Sequence, residues 1–466
     1  MVDLTTKLGP LSIKNPFIVG GGPLTGTADH IRKCIDAGFG ALVTKTASTP
    51  WFLRRYPRPL YQLVDYHENH SNSHYIPDDY TWMHREHNSV YHPLKFAKII
   101  EQVADYAREK ECAIIGSFAA RWMEEWEGIA IAYEKAGCTA LELNFCCPFP
   151  PEGLTKNPEE AHIGIHFTRN PEEGARVIRH LRNFIKIPMF AKLSPDGGDF
   201  GRMTKVFAEA GAAGVTMFAN NKNLRVDIET GKPILYGPTA ATGPWAKAQT
   251  LRWLAEIAPN AGEMGIMGGR GASTWQDAVE FLMCGASAVQ YCSPIIIRGV
   301  QSVRGMIAGL TEFMERRGYK DIARIQGSAL KHIYKNQDLI DKVKPLYAEV
   351  DLHKCVGCSR CTDVCCFDAI KFFRKAIIKK ENCAGCSLCS QVCASHAIQM
   401  HERDNDEDHF RAMFSGHPEL APKDFFDMEE ENYFPMPAHG VSQETPNIQS
   451  AGPEASSCGP CADAND

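Results

Sequence analysis

Two copies of one cysteine run lie in the last third of the chain. The first copy reads CVGCSRCTDVC from Cys355, and the second reads CAGCSLCSQVC from Cys383. Both have the spacing C-x-x-C-x-x-C-x-x-x-C, which is close to the bacterial ferredoxin run in which the fourth cysteine binds the other 4Fe–4S cluster. The sequence therefore predicts two 4Fe–4S clusters. The predicted ligands are Cys355, Cys358, Cys361 and Cys393 for one cluster, and Cys383, Cys386, Cys389 and Cys365 for the other.

Zinc is the alternative metal for these cysteines, because C-x-x-C pairs also serve tetrahedral zinc sites. A three-cysteine turn followed by a fourth cysteine favours the iron–sulfur cubane instead. The position after the fourth cysteine, often a proline, is Cys366 in the first run and Ala394 in the second. Cys366 is therefore expected to be a spare thiol, and the clusters predict a protein that transfers single electrons.

The composition predicts a cytoplasmic protein that binds neither nucleic acid nor a membrane. The net charge of −6 gives no electrostatic reason to expect nucleic acid or an anionic lipid surface. The apolar stretches are strand-sized, and the N-terminus lacks the charged start and apolar run of a secretory signal. Cysteines outside the clusters are mostly scattered through apolar segments, as is typical of a reducing compartment.

Short apolar runs alternate with helix-sized segments before the clusters, which is typical of β/α units and a parallel sheet. Several of the helical segments end at a glycine, and a further helix is expected over 321–335. Eight strands predict a (β/α)8 TIM barrel. The alternative is a doubly wound sheet, but no strand is followed by the G-x-G-x-x-G turn of that fold. The strand candidates are Pro16–Val19, Ala41–Thr44, Ala113–Ser117, Ala140–Leu143, Pro188–Lys192, Gly214–Phe218, Gly265–Met267 and Ala288–Tyr291.

The chain is predicted to contain three parts. The barrel is expected over residues 1–347, a ferredoxin-like module over 348–400, and an acidic tail rich in Pro, Ser and Gly over 401–466. Residues 46–92 form an insertion far longer than an ordinary β/α loop, and loops of that length are often lids or binding loops. This insertion is therefore predicted to be an enlarged lid.

Polar residues and glycines follow the predicted strands at one edge, where barrel enzymes place their chemistry. Gly268, Gly269 and the turn after the eighth strand occupy the usual phosphate site of such barrels. A phosphate-bearing cofactor beside two clusters indicates flavin mononucleotide (FMN), which exchanges single electrons and hydride. The strand-end residues are Gly20, Gly21, Gly22, Lys45, Ser117, Asn144, Cys147, Lys192, Asn220, Asn221, Gly268, Gly269, Cys292 and Ser293.

Five strings carry a resemblance to a known family. They are VTKT at 43–46, ELNFCCP at 142–148, AKLSPD at 191–196, MGG at 267–269 and TWQDAVEFLMCGASAVQ at 274–290. With these strings the barrel resembles the class 1 dihydroorotate dehydrogenases. The barrel and cluster module together resemble the FMN- and iron–sulfur-containing subunits of bacterial dihydropyrimidine dehydrogenases.

The resemblance implies a role for individual residues. Cys147 is expected to be the general acid/base, with Cys146 as the alternative because the family has a serine there. Asn144, Asn220 and Asn221 are expected to bind substrate. The residues expected to bind the cofactor are Gly21, Gly22, Lys45, Asn144, Lys192, Gly243, Gly268, Gly269, Cys292 and Ser293.

The chain departs from the pyrimidine enzymes ahead of the His92–Pro93 pair. An asparagine and a glutamate are expected there, and an ungapped count places Arg85 and His87 at these positions. Arg85 and His87 are therefore predicted to bind a substrate other than a simple pyrimidine, namely an anionic or thioester compound.

These observations predict an oxidoreductase that acts on CH–CH groups and reduces or forms a C=C bond next to a carbonyl. One alternative is a dihydropyrimidine dehydrogenase subunit proper, and another is a non-catalytic flavin and iron–sulfur electron relay. An RNA-directed enzyme is disfavoured by the negative net charge. Because no nicotinamide site is visible, the expected partner is an NAD(P)H-oxidising flavoprotein subunit or a ferredoxin, within a homo- or hetero-oligomer.

Overall fold

The computed structural model describes residues 2–55, 59–65, 78–86, 88–147 and 162–403. Contacts divide the chain into two compact units, Met1–Tyr334 and Lys335–Asp466. The expected boundary at 347/348 falls later than this division, and most of the expected tail lies outside the described residues. Over the described ranges, the helices are too short or too polar to span a membrane.

The strands of the first unit comprise an N-terminal hairpin, a parallel barrel with one short extra parallel strand, and additional antiparallel strands. They are β1 (Thr6–Leu8), β2 (Leu11–Ile13), β3 (Phe17–Val19), β4 (Ala41–Val43), β5 (Ala47–Ser48), β6 (Leu60–Asp65), β7 (Tyr80–Arg85), β8 (Ala113–Ala119), β9 (Ala140–Asn144), β10 (Met189–Lys192), β11 (Gly214–Met217), β12 (Asn221–Asn223), β13 (Val226–Asp227), β14 (Lys232–Pro233), β15 (Thr239–Thr242), β16 (Gly265–Gly268) and β17 (Ala288–Tyr291).

Eight of these strands pair in parallel and close on themselves in the order β3–β4–β8–β9–β10–β11–β16–β17, with β17 returning to β3. Each coincides with one of the eight predicted strands to within one or two residues at its ends. The (β/α)8 barrel prediction is therefore confirmed.

Helices follow the barrel strands on the outside, as the alternating pattern predicts. Gly38, Gly137 and Gly285, at or just after the C-terminal ends of three of them, have positive φ values of 108°, 95° and 103°. A residue with a Cβ is strained there, so these glycines end the helices. The helices are α1 (Ala28–Ala37), α2 (Pro93–Glu109), α3 (Met123–Lys135), α4 (Ile165–Arg169), α5 (Pro171–Leu181), α6 (Phe200–Glu209), α7 (Lys247–Ile257), α8 (Trp275–Met283), α9 (Ser293–Arg298) and α10 (Ser302–Arg317).

Two apolar layers hold the barrel together. The larger layer packs the helices against the outer face of the strands, with aromatic side chains such as Trp126, Phe145 and Phe207 fully buried in it. A smaller cluster fills the barrel interior, and Leu8 and Ile13 of the N-terminal hairpin pack into it. The opposite, C-terminal end of the barrel is therefore left for the functional site.

The insertion at 46–92, called the lid below after its predicted role, contains strands in its described parts. Strands β6 and β7 pair antiparallel from Leu60↔Arg85 to Asp65↔Tyr80. Strand β7 then pairs with β15, and β15 with β12, in a four-stranded antiparallel sheet. The lid is thus tied by backbone hydrogen bonds to the segment that follows barrel strand β11.

The helix expected over 321–335 is wrong. This segment contains two short 3-10 helices, Ile322–Arg324 and Leu330–His332. Gly327 between them has φ +71°, which a continuous right-handed helix cannot include.

The second unit is built on the repeated cysteine runs. Gly357 and Gly385, and likewise Ser359 and Ser387, occupy equivalent positions with φ between 60° and 73°. The two runs therefore adopt the same backbone path. Strand β18 pairs antiparallel with β21, and β19 with β20. The elements are α11 (Asn336–Lys342), β18 (Leu346–Val350), α12 (Arg360–Asp363), β19 (Ile370–Phe373), β20 (Lys375–Ile378), α13 (Leu388–Gln391) and β21 (Ile398–Glu402).

Candidate active site

A cavity of ≈ 880 Å³ lies at the C-terminal ends of the barrel strands and under the lid. Its volume is in the upper part of the range for small-molecule sites. Most of the predicted site residues line its wall. They are Gly21, Gly22, Lys45, Arg85, Asn144, Cys147, Lys192, Asn220, Gly269, Cys292 and Ser293.

Three predicted residues lie away from the cavity wall, and a fourth is not described. A Cβ on Gly268 would lie 2.2 Å from the Phe281 ring, so this glycine serves the packing of α8. A Cβ on Gly243 would lie 2.0 Å from the Tyr80 carbonyl oxygen, beneath the lid. Asn221 donates from Nδ2 to Asp196 Oδ1 at 2.8 Å. His87 lies outside the described residues.

Asn144 holds the loop that carries the two adjacent cysteines. Its Oδ1 accepts hydrogen bonds from the backbone N–H groups of Cys146 at 3.1 Å and Cys147 at 2.9 Å. Its Nδ2 donates to Thr46 Oγ1 at 2.9 Å. Asn144 thus fixes the start of the cysteine loop, in addition to the substrate contact that the resemblance implies.

The two thiols differ in their surroundings. Cys146 is fully buried, and this burial raises the pKa of its thiol. Cys147 reaches the cavity, with its sulfur 3.9 Å from that of Cys146. The hydrogen bond with Cys146 lowers the pKa of Cys147, and the nearby Lys192 ammonium acts in the same direction. Cys147 is therefore the better placed of the two for proton transfer.

Lys192 forms an ion pair with the buried carboxylate of Glu142, a residue that the sequence analysis did not identify as part of the site. Lys192 Nζ lies 3.1 Å from Glu142 Oε1, and the Glu142 side chain is completely buried. Burial alone lowers the pKa of Lys192, but the ion pair with Glu142 outweighs it and the pKa is raised. Glu142 also accepts hydrogen bonds from Ser117 Oγ at 3.3 Å, Thr216 Oγ1 at 3.0 Å and Gln290 Nε2 at 2.9 Å.

The lid contributes a second carboxylate, Glu86, which the sequence analysis also missed. Glu86 follows β7 directly, and its Oε1 lies 2.5 Å from Lys45 Nζ. Both side chains are largely buried in the cavity wall. Burial raises the pKa of the Tyr61 hydroxyl, and the neighbouring Glu86 carboxylate raises it further. The lid thus brings a negative charge to the lysine expected to contact the flavin.

Two further lid residues, His84 and Arg85, also line the cavity. Burial lowers the pKa of His84 to about 4, so its imidazole is neutral. His84 Nε2 lies 2.7 Å from the Asn220 amide nitrogen, which leaves the proton of the neutral ring on Nδ1. That Nδ1 is buried and has no partner within the described structure. Arg85 donates from Nη2 to the Pro238 carbonyl oxygen at 3.1 Å, which ties β7 to the segment before β15.

The cavity wall after β16 and β17 fits a phosphate-bearing cofactor. A Cβ on Gly269 would lie 2.8 Å from the Gln290 carbonyl oxygen, so the backbone approaches closely there only as glycine. Arg270 Nε is buried without a partner among the described residues. Ser293 begins α9. Arg270 Nη1 donates to Gln249 Oε1 at 2.9 Å, so its Nε is the donor left over. Backbone N–H groups and this free guanidinium N–H at one end of the cavity are suited to an anion.

The cysteines of the second unit come together in the two predicted sets. Cys365 of the first run lines a small cavity with three cysteines of the second run. Burial raises the pKa of Cys361, and its neighbours Cys355, Cys358 and Cys393 raise it further. Cys366 is exposed, and its thiol faces the Val364 carbonyl. The three partners of Cys365 are Cys383, Cys386 and Cys389.

Comparison with known proteins finds relatives that are similar to this chain over the barrel. The sequence profile of the dihydroorotate dehydrogenase family matches residues 88–314. The NAD-dependent dihydropyrimidine dehydrogenase subunit PreA of Escherichia coli strain K12 is 27% identical over 380 residues, which cover 78% of this chain and 86% of the relative.

Two archaeal relatives are similar over the barrel length. The catalytic subunit of dihydroorotate dehydrogenase B (NAD(+)) of Thermoplasma volcanium is 27% identical over 334 residues, which cover 71% of this chain and 100% of the relative. The corresponding subunit of Pyrococcus abyssi is 27% identical over 335 residues, which cover 70% and 99%. Relatives of both kinds agree with the resemblance that the sequence strings indicate.

Proposed function

Because the chain is a class 1 dihydroorotate dehydrogenase-like oxidoreductase that acts on CH–CH groups, we propose that it uses FMN and two 4Fe–4S clusters to reduce or form a C=C bond next to a carbonyl. The observation that carries this proposal is the position of Cys147. Its thiol shares one cavity with Lys45, Lys192 and the glycine turn at Gly269. A proton donor beside a cofactor cradle is what this reaction requires.

Each described residue has a task in this reaction. When bound, the flavin supplies hydride transfer and accepts single electrons. Cys147 gives a proton to the carbon next to the carbonyl, or removes it in the reverse direction. Asn144 positions Cys147 through the hydrogen bond that its Oδ1 accepts from the Cys147 backbone N–H group. Lys192 stays cationic because Glu142 pairs with it, so it stabilises negative charge that develops on the cofactor.

The clusters are proposed to connect the barrel to a second protein. No barrel strand is followed by a G-x-G-x-x-G turn, so the proposed electron donor or acceptor is an NAD(P)H-oxidising flavoprotein subunit or a ferredoxin. The crossed grouping of Cys365 with Cys383, Cys386 and Cys389 supports two cubanes rather than two zinc sites.

The cofactor proposal is tested by metal analysis. Protein purified without oxygen should contain about eight iron, eight sulfide and one FMN per chain. Cys393→Ala should lose about four iron although it lies in the second run, because it is the proposed fourth ligand of the first cluster. Cys366→Ala is the matched control and should keep all eight. Zinc in place of iron, or about four iron in the wild type, would contradict the two-cluster proposal.

The substrate is proposed to be an anionic or thioester-bearing unsaturated compound, because Arg85 and several other cations line the cavity. A specific observation also favours a second candidate, a dihydropyrimidine dehydrogenase subunit. Glu86 and Asn88 line the cavity from the segment where the pyrimidine enzymes carry a glutamate and an asparagine. A carboxylate and an amide are suited to hydrogen bonding with a neutral ring.

The two candidates are separated by turnover with an artificial one-electron donor. The isolated chain with reduced methyl viologen should reduce uracil or thymine slowly at best. A site whose polar groups are arranged to bind an anionic substrate leaves those groups unpaired when a neutral pyrimidine binds, and it therefore rejects the pyrimidine strongly. Glu86→Gln should then change that residual rate only a few-fold, through the loss of its ion pair with Lys45. Rapid uracil reduction that Glu86→Gln abolishes would establish the pyrimidine candidate and remove the anionic one. Rapid uracil reduction with NADH alone would also contradict the need for a partner.

A further inference from the structure

We propose that Arg121 and Thr49 form an anion-binding subsite at the rim of the cavity opposite the phosphate end. The subsite would take a carboxylate at the far end of an elongated unsaturated substrate. This inference rests on the proposed function and deepens it by defining the substrate class. Neither residue is among those that the family resemblance implies.

The barrel topology places this subsite across the mouth of the barrel. Arg121 comes just after β8, the third barrel strand, and Gly269 and Arg270 follow β16, the seventh. In a closed barrel of eight strands the third and seventh strands face each other. Thr49 follows β5, which extends the pairing of β8 through Ala47↔Phe118. Thr49 and Arg121 thus both lie at the rim beyond β8, and both line the cavity.

Each residue presents a buried donor that the described structure leaves unpaired. These atoms are Thr49 Oγ1 and Arg121 Nε. Buried polar atoms without a partner are rare in native proteins, so several of them on one cavity wall indicate a bound ligand. A phosphate-bearing cofactor would satisfy donors at the phosphate end, such as Arg270 Nε, but the donors beyond β8 lie on the other side of the mouth.

Arg121 is held in place for this task. Glu125 Oε1 accepts from Arg121 Nη2 at 3.3 Å, and Glu125 Oε2 accepts from the Arg121 backbone N–H at 2.9 Å. Its side chain is only 19% exposed. Thr49 is fixed similarly, because its carbonyl oxygen accepts from Arg54 Nη2 at 3.3 Å. A guanidinium held by one carboxylate still has N–H groups for a second.

The charges of the wall favour an anionic ligand. Within the described part of the chain, Glu86 is the acidic side chain among the lining residues, and it pairs with Lys45. Beyond β8, Arg121 pairs with Glu125, which is not a lining residue, and the lining residues of the described chain offer Arg121 no second carboxylate. The cationic lining residues are Lys45, Arg85, Arg121, Lys192, Lys222 and Arg270.

The wall next to the subsite is apolar. Phe52 and Leu53 pack with Ala119 and Ile163 in a small hydrophobic cluster, and Phe52 and Leu53 also line the cavity. The substrate class that fits is therefore a C=C–carbonyl unit near Cys147, an apolar spacer along Phe52, and a carboxylate at Arg121. The cavity of ≈ 880 Å³ has room for such a compound beside a flavin.

The test compares two probes, cinnamamide and 4-carboxycinnamamide. They differ only in a carboxylate at the end of the molecule away from the C=C–carbonyl unit. Calorimetry with the cofactor-loaded full chain should give a dissociation constant at least about tenfold lower for the carboxylated probe, as expected of charged hydrogen bonds. In Arg121→Gln this ratio should fall to within about twofold while the affinity for cinnamamide stays the same. Arg121→Lys should keep part of the ratio.

Arg252→Gln is the matched control. Arg252 pairs with Glu256 at 3.2 Å and with the same i,i+4 spacing as Arg121 and Glu125, but it is exposed and outside the cavity lining. This variant should keep the full ratio. Thr49→Val keeps the side-chain volume and removes the hydroxyl, so it should reduce the ratio of the two dissociation constants a few-fold. If Arg121→Gln does not fold, this variant alone tests the subsite.

A ratio that persists in Arg121→Gln or Thr49→Val, or a wild type that does not distinguish the probes, would overturn the subsite. These outcomes are separate from failure of the proposed function. Calorimetry reads binding rather than turnover, and the FMN and iron content of each variant is measured on the same sample. Absence of FMN from the wild type would defeat the proposed function, whereas a constant ratio in FMN-loaded variants defeats only the subsite.

Discussion

Cys147→Ala is expected to keep its FMN and clusters and to lose turnover by about a hundredfold or more, the usual size of a general acid–base contribution. The physical reason is that Cys147 is the thiol on the cavity wall, while Cys146 is fully buried beside it. Steady-state rates with reduced methyl viologen, together with cofactor analysis of the same sample, provide the measurement.

Cys146→Ala is the control that the chain itself offers. It removes a thiol one residue away and should change the rate only slightly. Reversed effects of the two substitutions would assign proton transfer to Cys146. Normal turnover in both variants would favour the electron-relay alternative, because a relay needs no proton donor in the cavity.

The pH profile gives a second readout of the same thiol. In the reducing direction Cys147 must be protonated, so the rate should fall as the pH rises through its pKa. That pKa is lowered from 9.0 by the hydrogen bond with Cys146 and by Lys192, so the fall should begin at a lower pH than an ordinary thiol gives. In the dehydrogenating direction the thiolate is the base, and the rate should rise over the same interval. Cys147→Ala should lose both effects.

The barrel was predictable because its signals are local. Each strand is a short apolar run, and glycines such as Gly38 and Gly137 mark helix ends through positive φ. The expected helix over 321–335 is wrong because Gly327 interrupts a segment whose composition otherwise favours a helix. The cysteine sets were predictable for a related reason, since spacing alone restricts which thiols meet.

The lid and the buried charges were harder to predict because they depend on contacts distant in sequence. The insertion reads as a loop, yet β7 finds its partner in β15, more than 150 residues later. The role of Glu86 depends on its ion pair with Lys45. The role of Arg121 depends on its position across the barrel from Gly269, and neither relation can be read from the sequence. An ungapped count assigned the pyrimidine-reading positions to Arg85 and His87, but Arg85, Glu86 and Asn88 all line the cavity, and a count cannot show which of them meets the substrate.

Glu142 illustrates the same difficulty and supports a second large expected effect. It lies inside the ELNFCCP string, but a strand buried on both faces gives no alternation to show that its carboxylate points into the barrel. There it accepts hydrogen bonds from Ser117, Thr216 and Gln290 and pairs with Lys192. Glu142→Gln is therefore expected to cost about 3–5 kcal/mol of stability, as is typical when one partner of a buried ion pair is removed.

Thermal unfolding at one scan rate measures this effect, and a loss of this size in a unit that spans Met1–Tyr334 should lower the midpoint by roughly 4–7 °C. Glu172→Gln is the matched control, because its partner Arg202 and Glu172 itself are 61% and 58% exposed, and surface pairs contribute less than about 1 kcal/mol. A decisive comparison is the double variant Glu142→Gln, Lys192→Met. With no charge left buried, it should be more stable than Glu142→Gln alone. If the double variant is instead less stable by the sum of the two single effects, the ion pair is not what stabilises this end of the barrel.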